Sequence, residues 1–211
     1  MNPLHETQLE TIENHLRVGQ RVEAQQILIK LVKDPNRLQR KSLPILSSQL
    51  RRSGLSEMAV KILFPFVRRK GLNLKISTIE EKQEYAAALL DLGAIEEAKV
   101  LLNELKPLNS SKTNLYLGFL AMGQWNYKSA KSNFIQFLQD TSLSSEYESL
   151  IGKVNLKACE VFLCDSKSES LRLNQELKEL TRITHEKNFK VLFANLNEIQ
   201  SQLLIKNKKN E

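Results

Sequence analysis

The chain has 211 residues, 41% of them hydrophobic, and a formal net charge of +7. This apolar content is sufficient for a buried core and excludes an intrinsically disordered chain. Glycine (7) and proline (5) are scarce, whereas Leu, Lys, Glu, Gln and Ala, which favour helices, dominate the sequence. The composition therefore predicts an all-α protein.

The N-terminal segment MNPLHETQLETIENHL lacks the basic start and apolar run of a secretory signal. The apolar runs of the chain are far shorter than the roughly 20 residues that a membrane span needs. The two cysteines, Cys159 and Cys164, match neither a zinc pair nor a redox motif. Five residues apart in a helix, they would lie on different faces, which disfavours a disulfide. We expect reduced thiols, a cytoplasmic location and no contact with a membrane.

Positive charge is concentrated in one stretch of the sequence. Residues 36–75 hold ten Lys and Arg against Glu57 alone, a net charge of +9, whereas residues 76–105 hold two Lys against seven acids, a net charge of −5. Such a field attracts acidic partners and speeds their encounter. A solvated surface that keeps the protein soluble explains the same stretch equally well.

Four short strings recur along the first two thirds of the chain. They are GQRVEA (19–24), GLSEMA (54–59), GAIEEA (93–98) and WNYKSA (125–130). Their final alanines are 35, 39 and 32 residues apart. A period near 34 is typical of a repeated helix–turn–helix unit.

The residues of each unit have a physical explanation. Helix A ends near the glycine, which tolerates a left-handed C-cap, and helix B carries the small alanine where the two helices cross closely. Apolar residues follow the alanine by four and seven positions: Leu28 and Leu31, Leu63 and Phe66, Leu102 and Leu105, Phe134 and Phe137. We expect helix breaks at Asp34-Pro35 and Lys106-Pro107, and a helix cap at the Ser/Thr that ends GLNLKIST.

This pattern resembles the tetratricopeptide repeat (TPR) family. The fourth unit matches the family motif best, with Leu117-Gly118, Tyr127, Ala130 and Phe134. The resemblance implies a right-handed α-α superhelix, a TPR-like solenoid, of four to five helical hairpins plus a C-terminal capping helix. It also implies that Gly118 admits a neighbouring helix and that Trp125 lies at a hairpin corner. Pro65 departs from the pattern and is expected to kink or shorten its helix.

The repeat motif covers residues 1–141, which we interpret as an array of four hairpins. Residues 142–211 are interpreted as a degenerate fifth hairpin, 150–163 with 170–183, followed by an amphipathic capping helix at about 187–206 in the same domain. The alternative for this last helix is an exposed surface that binds a partner or dimerises.

Signals of enzymatic chemistry are missing from the sequence. His5, His15 and His185 are far apart, and no HExxH, GxSxG or Walker-type motif occurs. Paired acids such as Glu80-Glu81 stand at predicted helix N-termini, where the helix dipole favours them. The sequence therefore predicts a protein that is not an enzyme and that binds neither a cofactor nor a metal.

The family resemblance implies that the A helices line a concave groove that binds segments of other proteins. The repeat register places basic residues in the middle of this groove and apolar ones near the fourth unit, which suits an acidic segment with an apolar anchor. Tyr116 and Phe119 have the alternative of a place in the core. The predicted partner-binding residues are Arg17, Arg51, Arg52, Leu115, Tyr116, Phe119 and Met122.

A sub-type of the family clamps the terminal carboxylate of chaperones with Lys and Asn side chains. This chain has Leu9, Glu13 and Ile45 at the corresponding positions, so that function is not carried over. The leading hypothesis is an adaptor or scaffold that binds another protein. The alternatives are RNA or other nucleic-acid binding through residues 37–75, and a cytoplasmic chaperone for a secreted or pilus substrate.

Overall fold

A computed structural model of the protein describes residues 3–33, 38–68, 76–108, 110–139 and 145–209. Within these ranges all regular structure is helical, so the predicted all-α class is confirmed. Short 3-10 helices occupy Arg40–Ser42 and Lys106–Leu108. The α-helices are α1 (Pro3–Arg17), α2 (Arg21–Val32), α3 (Leu43–Arg52), α4 (Ser56–Val67), α5 (Ile79–Asp91), α6 (Ile95–Leu105), α7 (Ser111–Gly123), α8 (Tyr127–Leu138), α9 (Glu146–Leu163), α10 (Lys167–Glu186) and α11 (Lys190–Lys209).

The chain divides into two compact units, Met1–Leu108 and Asn109–Glu211. Unit 1 contains α1 to α6 and unit 2 contains α7 to α11. The sequence motif divides the chain at residue 141, which lies inside unit 2. That division describes the extent of the repeat and stays a prediction. The TPR-like superhelix also remains a prediction.

Unit 1 consists of three helical hairpins, α1–α2, α3–α4 and α5–α6. The first helices of the hairpins lie side by side, because α3 packs against both α1 and α5. Apolar side chains of the first two hairpins form the core, among them Ile12, Leu16, Leu28, Leu46 and Leu50. Burying these residues is the main stabilising contribution to the unit.

Five turns between helices close with the same backbone geometry. In each, a residue with positive φ donates its N–H to a carbonyl three residues earlier, and the next N–H bonds a carbonyl five residues earlier. This pairing satisfies carbonyls at the end of the first helix. The positive-φ residues are Gly19 (82°), Gly54 (89°), Gly93 (78°), Trp125 (59°) and Asn188 (56°).

The alanines predicted at the helix crossings lie in the core in all four units. Ala24, Ala59, Ala98 and Ala130 are all fully buried. In the fourth unit, a Cβ placed on Gly118 would lie 2.5 Å from the Phe134 ring, so that only glycine fits without a shift of the ring.

The predicted helix boundaries are mostly confirmed. Thr78 caps α5 and forms a capping box with Glu81, and α6 ends at Leu105, before Pro107. Pro65 does not shorten its helix, since α4 has 12 residues, as many as α2, and only two of them follow the proline; the alternative of a kink stays a prediction. Asp34-Pro35 lies outside the described residues.

Unit 2 begins with the hairpin α7–α8 and ends with three longer helices. The repeated turn geometry joins α10 to α11 through Asn188, whereas α9 packs against α8 and α11. One side of α11 is buried in the core of this unit, through Leu192, Leu196 and Leu203. Leu204 and Ile205 remain exposed on the same helix.

Candidate functional site

Three of the predicted partner-binding residues meet on the first helices of unit 1. Arg17 and Arg52 both bind the carboxylate of Glu13, at 2.9 and 2.7 Å. Arg51 lies 3.5 Å from Asp91. The surface formed by these five residues is called the charged face below. It joins α1, α3 and α5 and carries three guanidinium groups against two carboxylates.

The charged face lies at the border of the solvent. Its side chains are between 15% (Arg51) and 38% (Asp91) exposed. Burial by itself raises the pKa of Glu13, but the ion pairs and hydrogen bonds with Arg52 and Arg17 outweigh it and lower that pKa. Glu13 therefore stays ionised and holds the two guanidinium groups in fixed positions.

Much of the positive charge of residues 36–75 is paired with acids from outside that stretch. Arg40 makes a bidentate contact with Glu81, at 2.6 and 2.8 Å, and Arg68 pairs with Glu97. Arg51 and Arg52 pair with the acids of the charged face. Four further cations lie outside the described residues: Arg37, Arg69, Lys70 and Lys75. The net charge counted from the sequence of residues 36–75 is therefore larger than the net positive charge that the described residues present to a partner.

The four predicted residues of α7 occupy a different environment. Leu115 and Tyr116 are 6% and 2% exposed, so these two side chains belong to the core and present no free surface. Phe119 is half-buried and contacts the Tyr116 and Phe134 rings, with centroids 6.4 and 5.6 Å away. Met122 is half-buried as well. Of the two placements predicted for Tyr116, the one in the core is observed. Helical register predicts which residues share a face, but not which faces neighbouring helices cover.

A surface of three aromatic rings in unit 2 was not predicted as a site. Trp125 is 77% exposed and meets Tyr127 edge to face, with centroids 6.3 Å apart. Tyr127 stacks on Phe162 at 4.3 Å, with the rings nearly parallel. These three residues are called the aromatic ridge below. The sequence placed Trp125 correctly at a hairpin corner but gave no reason to pair it with Phe162, which lies on α9.

Unit 1 also contains an apolar cavity of about 470 Å³. Apolar side chains of α2, α3, α4 and the segment before α3 line it, and Lys61 and Arg40 are its charged members. Arg40 is committed to Glu81 and to the carbonyl of Ile76. Phe66, which was predicted to pack between hairpins, is half-buried and lines this cavity.

The nucleophilic and metal-ligating residues that the structure describes do not assemble a reactive centre. Cys159 and Cys164 are free and buried, and burial, with a smaller effect of Glu160, raises the pKa of Cys159 to about 11. His15 shares a hydrogen bond with Gln20 at 2.7 Å. No group of His, Cys, Asp or Glu in the described ranges could hold a metal ion. None of the described helices is sufficiently long and apolar to cross a membrane.

Comparison of the chain with protein-family models, with curated proteins and with solved structures finds no match. The assignment of a function therefore depends on the geometry and chemistry of the chain's own residues.

Proposed function

We propose that the protein is a non-enzymatic, cytoplasmic adaptor or scaffold of TPR-like helical hairpins, which binds a segment of another protein on the charged face. The observation that carries the proposal is the meeting of Arg17, Arg51 and Arg52 on neighbouring helices, where they bind Glu13 and Asp91. Three guanidinium groups on one surface attract an acidic segment.

The chemistry of the charged face favours an acidic partner segment. A guanidinium group binds a carboxylate through two parallel hydrogen bonds, which suits the arginines of the charged face to a partner carboxylate. Arg17 binds Glu13 through its Nε, in a contact that spans one helical turn. Leu9, half-buried one turn before Glu13, offers an apolar contact for the anchor of the segment.

The described structure also supports a role in binding over one in catalysis. The charged side chains of the charged face hold each other through ion pairs, and its only described carboxyl group with a shifted pKa, Glu13, is shifted down. A low pKa keeps this carboxylate ionised at neutral pH, so that it acts as a fixed anion and not as a proton donor. No cofactor is part of the proposal.

The test compares two double variants with the unmodified protein. Arg51→Gln with Arg52→Gln removes two charges from the charged face and keeps polar side chains that donate hydrogen bonds. Arg21→Gln with Lys30→Gln removes the same charge from exposed positions of α2 and is the control. Each protein is used to capture partners from its native lysate, with nuclease added to half of each sample, and urea denaturation verifies folding.

The proposal expects a defined protein that survives nuclease, is captured by the unmodified protein and the control, and is lost from the Arg51/Arg52 variant. Capture that is equal for all three proteins would refute the charged face as the site. Loss of the captured partners after nuclease treatment would indicate that the protein binds nucleic acid instead. In that case binding would weaken steeply as the salt concentration rises.

A further inference from the structure

Trp125 occupies a backbone conformation that large side chains rarely adopt. Its φ of 59° lies in the left-handed region, which is disfavoured for residues with a Cβ and is a genuine outlier for a bulky one. The equivalent turns of unit 1 place Gly19, Gly54 and Gly93 at this position. The fold thus needs a left-handed residue here, and three of the five turns supply the residue that adopts it without strain.

The side chain of Trp125 makes few contacts that could compensate for this backbone strain. The indole is 77% exposed, and its one ring contact within the described part of the chain is the edge-to-face contact with Tyr127. Strained backbone conformations are imposed by the surrounding structure and cluster at functional sites. An exposed tryptophan in a strained turn therefore indicates a function other than packing in the core. Tryptophan is also among the residue types that are enriched at the hot spots of protein interfaces.

The aromatic ridge combines apolar surface with hydrogen-bond donors and a positive charge. Tyr127 and Phe162 form a stacked pair beside the indole, and Phe162 is 42% exposed. Neither the indole N–H of Trp125 nor the hydroxyl of Tyr127 bonds another residue in the described ranges. Lys128 follows directly, is exposed, and pairs with no carboxylate of those ranges.

We propose that the aromatic ridge binds an extended, proline-rich segment of another protein that carries an acidic residue beside its prolines. A segment in the polyproline II conformation has no internal hydrogen bonds, and its prolines have no N–H. Its backbone therefore presents carbonyl acceptors, which match the donors of Trp125 and Tyr127. Proline rings pack on aromatic faces, and such a segment loses little entropy on binding because it is already extended.

Charge selects the acidic form of this segment. Lys128 attracts a carboxylate, and the next charged residue along α8, Lys131, is also basic and pairs with Glu160 at 3.2 Å. Helix α8 itself contains no acidic residue. The ridge lies in unit 2, and its proposed role does not depend on the charged face of unit 1.

The experiment exploits the fact that Trp125 is the single tryptophan of the chain. Its fluorescence is quenched by acrylamide in the free protein, because the indole is exposed, and is protected when a ligand covers it. The full-length protein is titrated with a peptide of Pro-Pro-Asp repeats, a peptide of Pro-Pro-Lys repeats, and a peptide of Gly-Ser-Asp repeats. We expect saturable protection by the first peptide and none by the other two.

Variants locate the binding with a fluorescently labelled Pro-Pro-Asp peptide. Trp125→Asn keeps a residue that accepts this backbone, as Asn188 does in the last turn, and removes the ring. We expect it to weaken binding at least about tenfold, since aromatic anchors dominate interface energetics. Leu204→Ala, which removes an exposed apolar side chain of α11, is the control and should leave the affinity unchanged. Lys128→Gln should reduce the preference for the acidic peptide.

Four results would overturn the proposal. Protection by an oligouridine, and not by the peptide, would make the ridge a stacking surface for nucleic acid. Protection that rises with protein concentration alone would make it a contact between two copies of the chain. The absence of protection by the acidic proline peptide, or equal affinity of the unmodified protein and Trp125→Asn, would show that the ridge does not bind such a segment.

Discussion

The two units use their arginines and aromatic residues differently. In unit 1, Arg40, Arg51, Arg52 and Arg68 pair with acids on other helices, and Arg17 pairs within α1. In unit 2, both arginines, Arg172 and Arg182, pair within α10, one helical turn away. All the described ring-to-ring contacts lie in unit 2, whereas in unit 1 Arg40 and Arg68 lie over the Phe66 and Tyr85 rings.

This difference implies that the units respond to different perturbations. Ion pairs between helices tolerate small shifts of the backbone, because the arginine side chain is long, but they depend on the ionisation of their acids. Packed rings depend on shape and fail when volume is added. Changes of volume should therefore affect unit 2 most, and changes of charge or pH should affect unit 1 most.

The largest effect is expected from Gly118→Ala in unit 2. The added Cβ would lie 2.5 Å from the ring of Phe134, which is fully buried and contacts Phe119. Forcing the ring to move should reduce the free energy of unfolding by about 3 kcal/mol, measured by urea denaturation. Gly123→Ala in the same helix meets nothing within 4 Å and is the control, for which stability equal to or above that of the unmodified protein is expected.

Glu81→Gln should be the most damaging charge change in unit 1. The carboxylate is 1% exposed, binds Arg40 twice, and accepts the backbone N–H of Thr78 at 2.9 Å. The amide that replaces it presents N–H groups to a guanidinium group, so we expect a loss of about 2 kcal/mol in the free energy of unfolding. Glu80→Gln, at the exposed neighbouring position, should cost a small fraction of that. Equal losses would assign the effect to the helix dipole instead.

The stability of unit 1 should also depend on pH on the acid side. Burial raises the pKa of Glu13 and of Glu81, but their arginine partners outweigh it, so that both pKa values lie below the ordinary value of 4.5. These ion pairs therefore contribute their full stability above that value and lose it as the pH falls through the lowered pKa values. The free energy of unfolding, measured by urea denaturation across this pH range, should fall less for Glu13→Gln than for the unmodified protein, by about 1 kcal/mol. Glu23→Gln, an exposed change on α2, should follow the unmodified protein.

The smallest effects concern the left-handed turn positions and have opposite signs in the two units. Gly93→Ala adds a Cβ that meets nothing within 4 Å but must keep a φ of 78°, so it should cost about 1 kcal/mol of backbone strain. Trp125→Gly relieves the same strain in unit 2 but gives the unfolded chain more conformational freedom. We expect a net increase of about 0.5 kcal/mol in the free energy of unfolding. A clear loss of stability in Trp125→Gly would show that the indole stabilises the fold.

Much of the fold could be predicted from the sequence because the relevant signals are local. The buried alanines, the glycine turns, the cap at Thr78 and the tight position of Gly118 all follow from which residue type a helix end or a close crossing accepts. The effect of Pro65 on the length of α4 was not predicted correctly, although the residue lies near the helix end and only two residues of α4 follow it.

The candidate sites could be predicted only in part, because exposure depends on neighbours that are distant in the sequence. The repeat register placed Arg51 and Arg52 on the same surface as Glu13 and Asp91, but it did not predict that these residues form ion pairs. Tyr116 was named as a partner-binding residue with a place in the core as the alternative, and it is buried. The aromatic ridge joins α8 and its preceding turn to Phe162 of α9, a pairing without a sequence motif.

Helix type, turn position and the small residues at helix crossings were thus settled by the order of amino acids, since each depends on interactions within a few residues. Which charges are neutralised and which aromatic side chains reach the surface were settled by the packing of helices. The physical reason is that ion pairing and burial are set by atoms within about 4 Å in space, and in the described ranges bonded residues are up to 45 positions apart in the sequence.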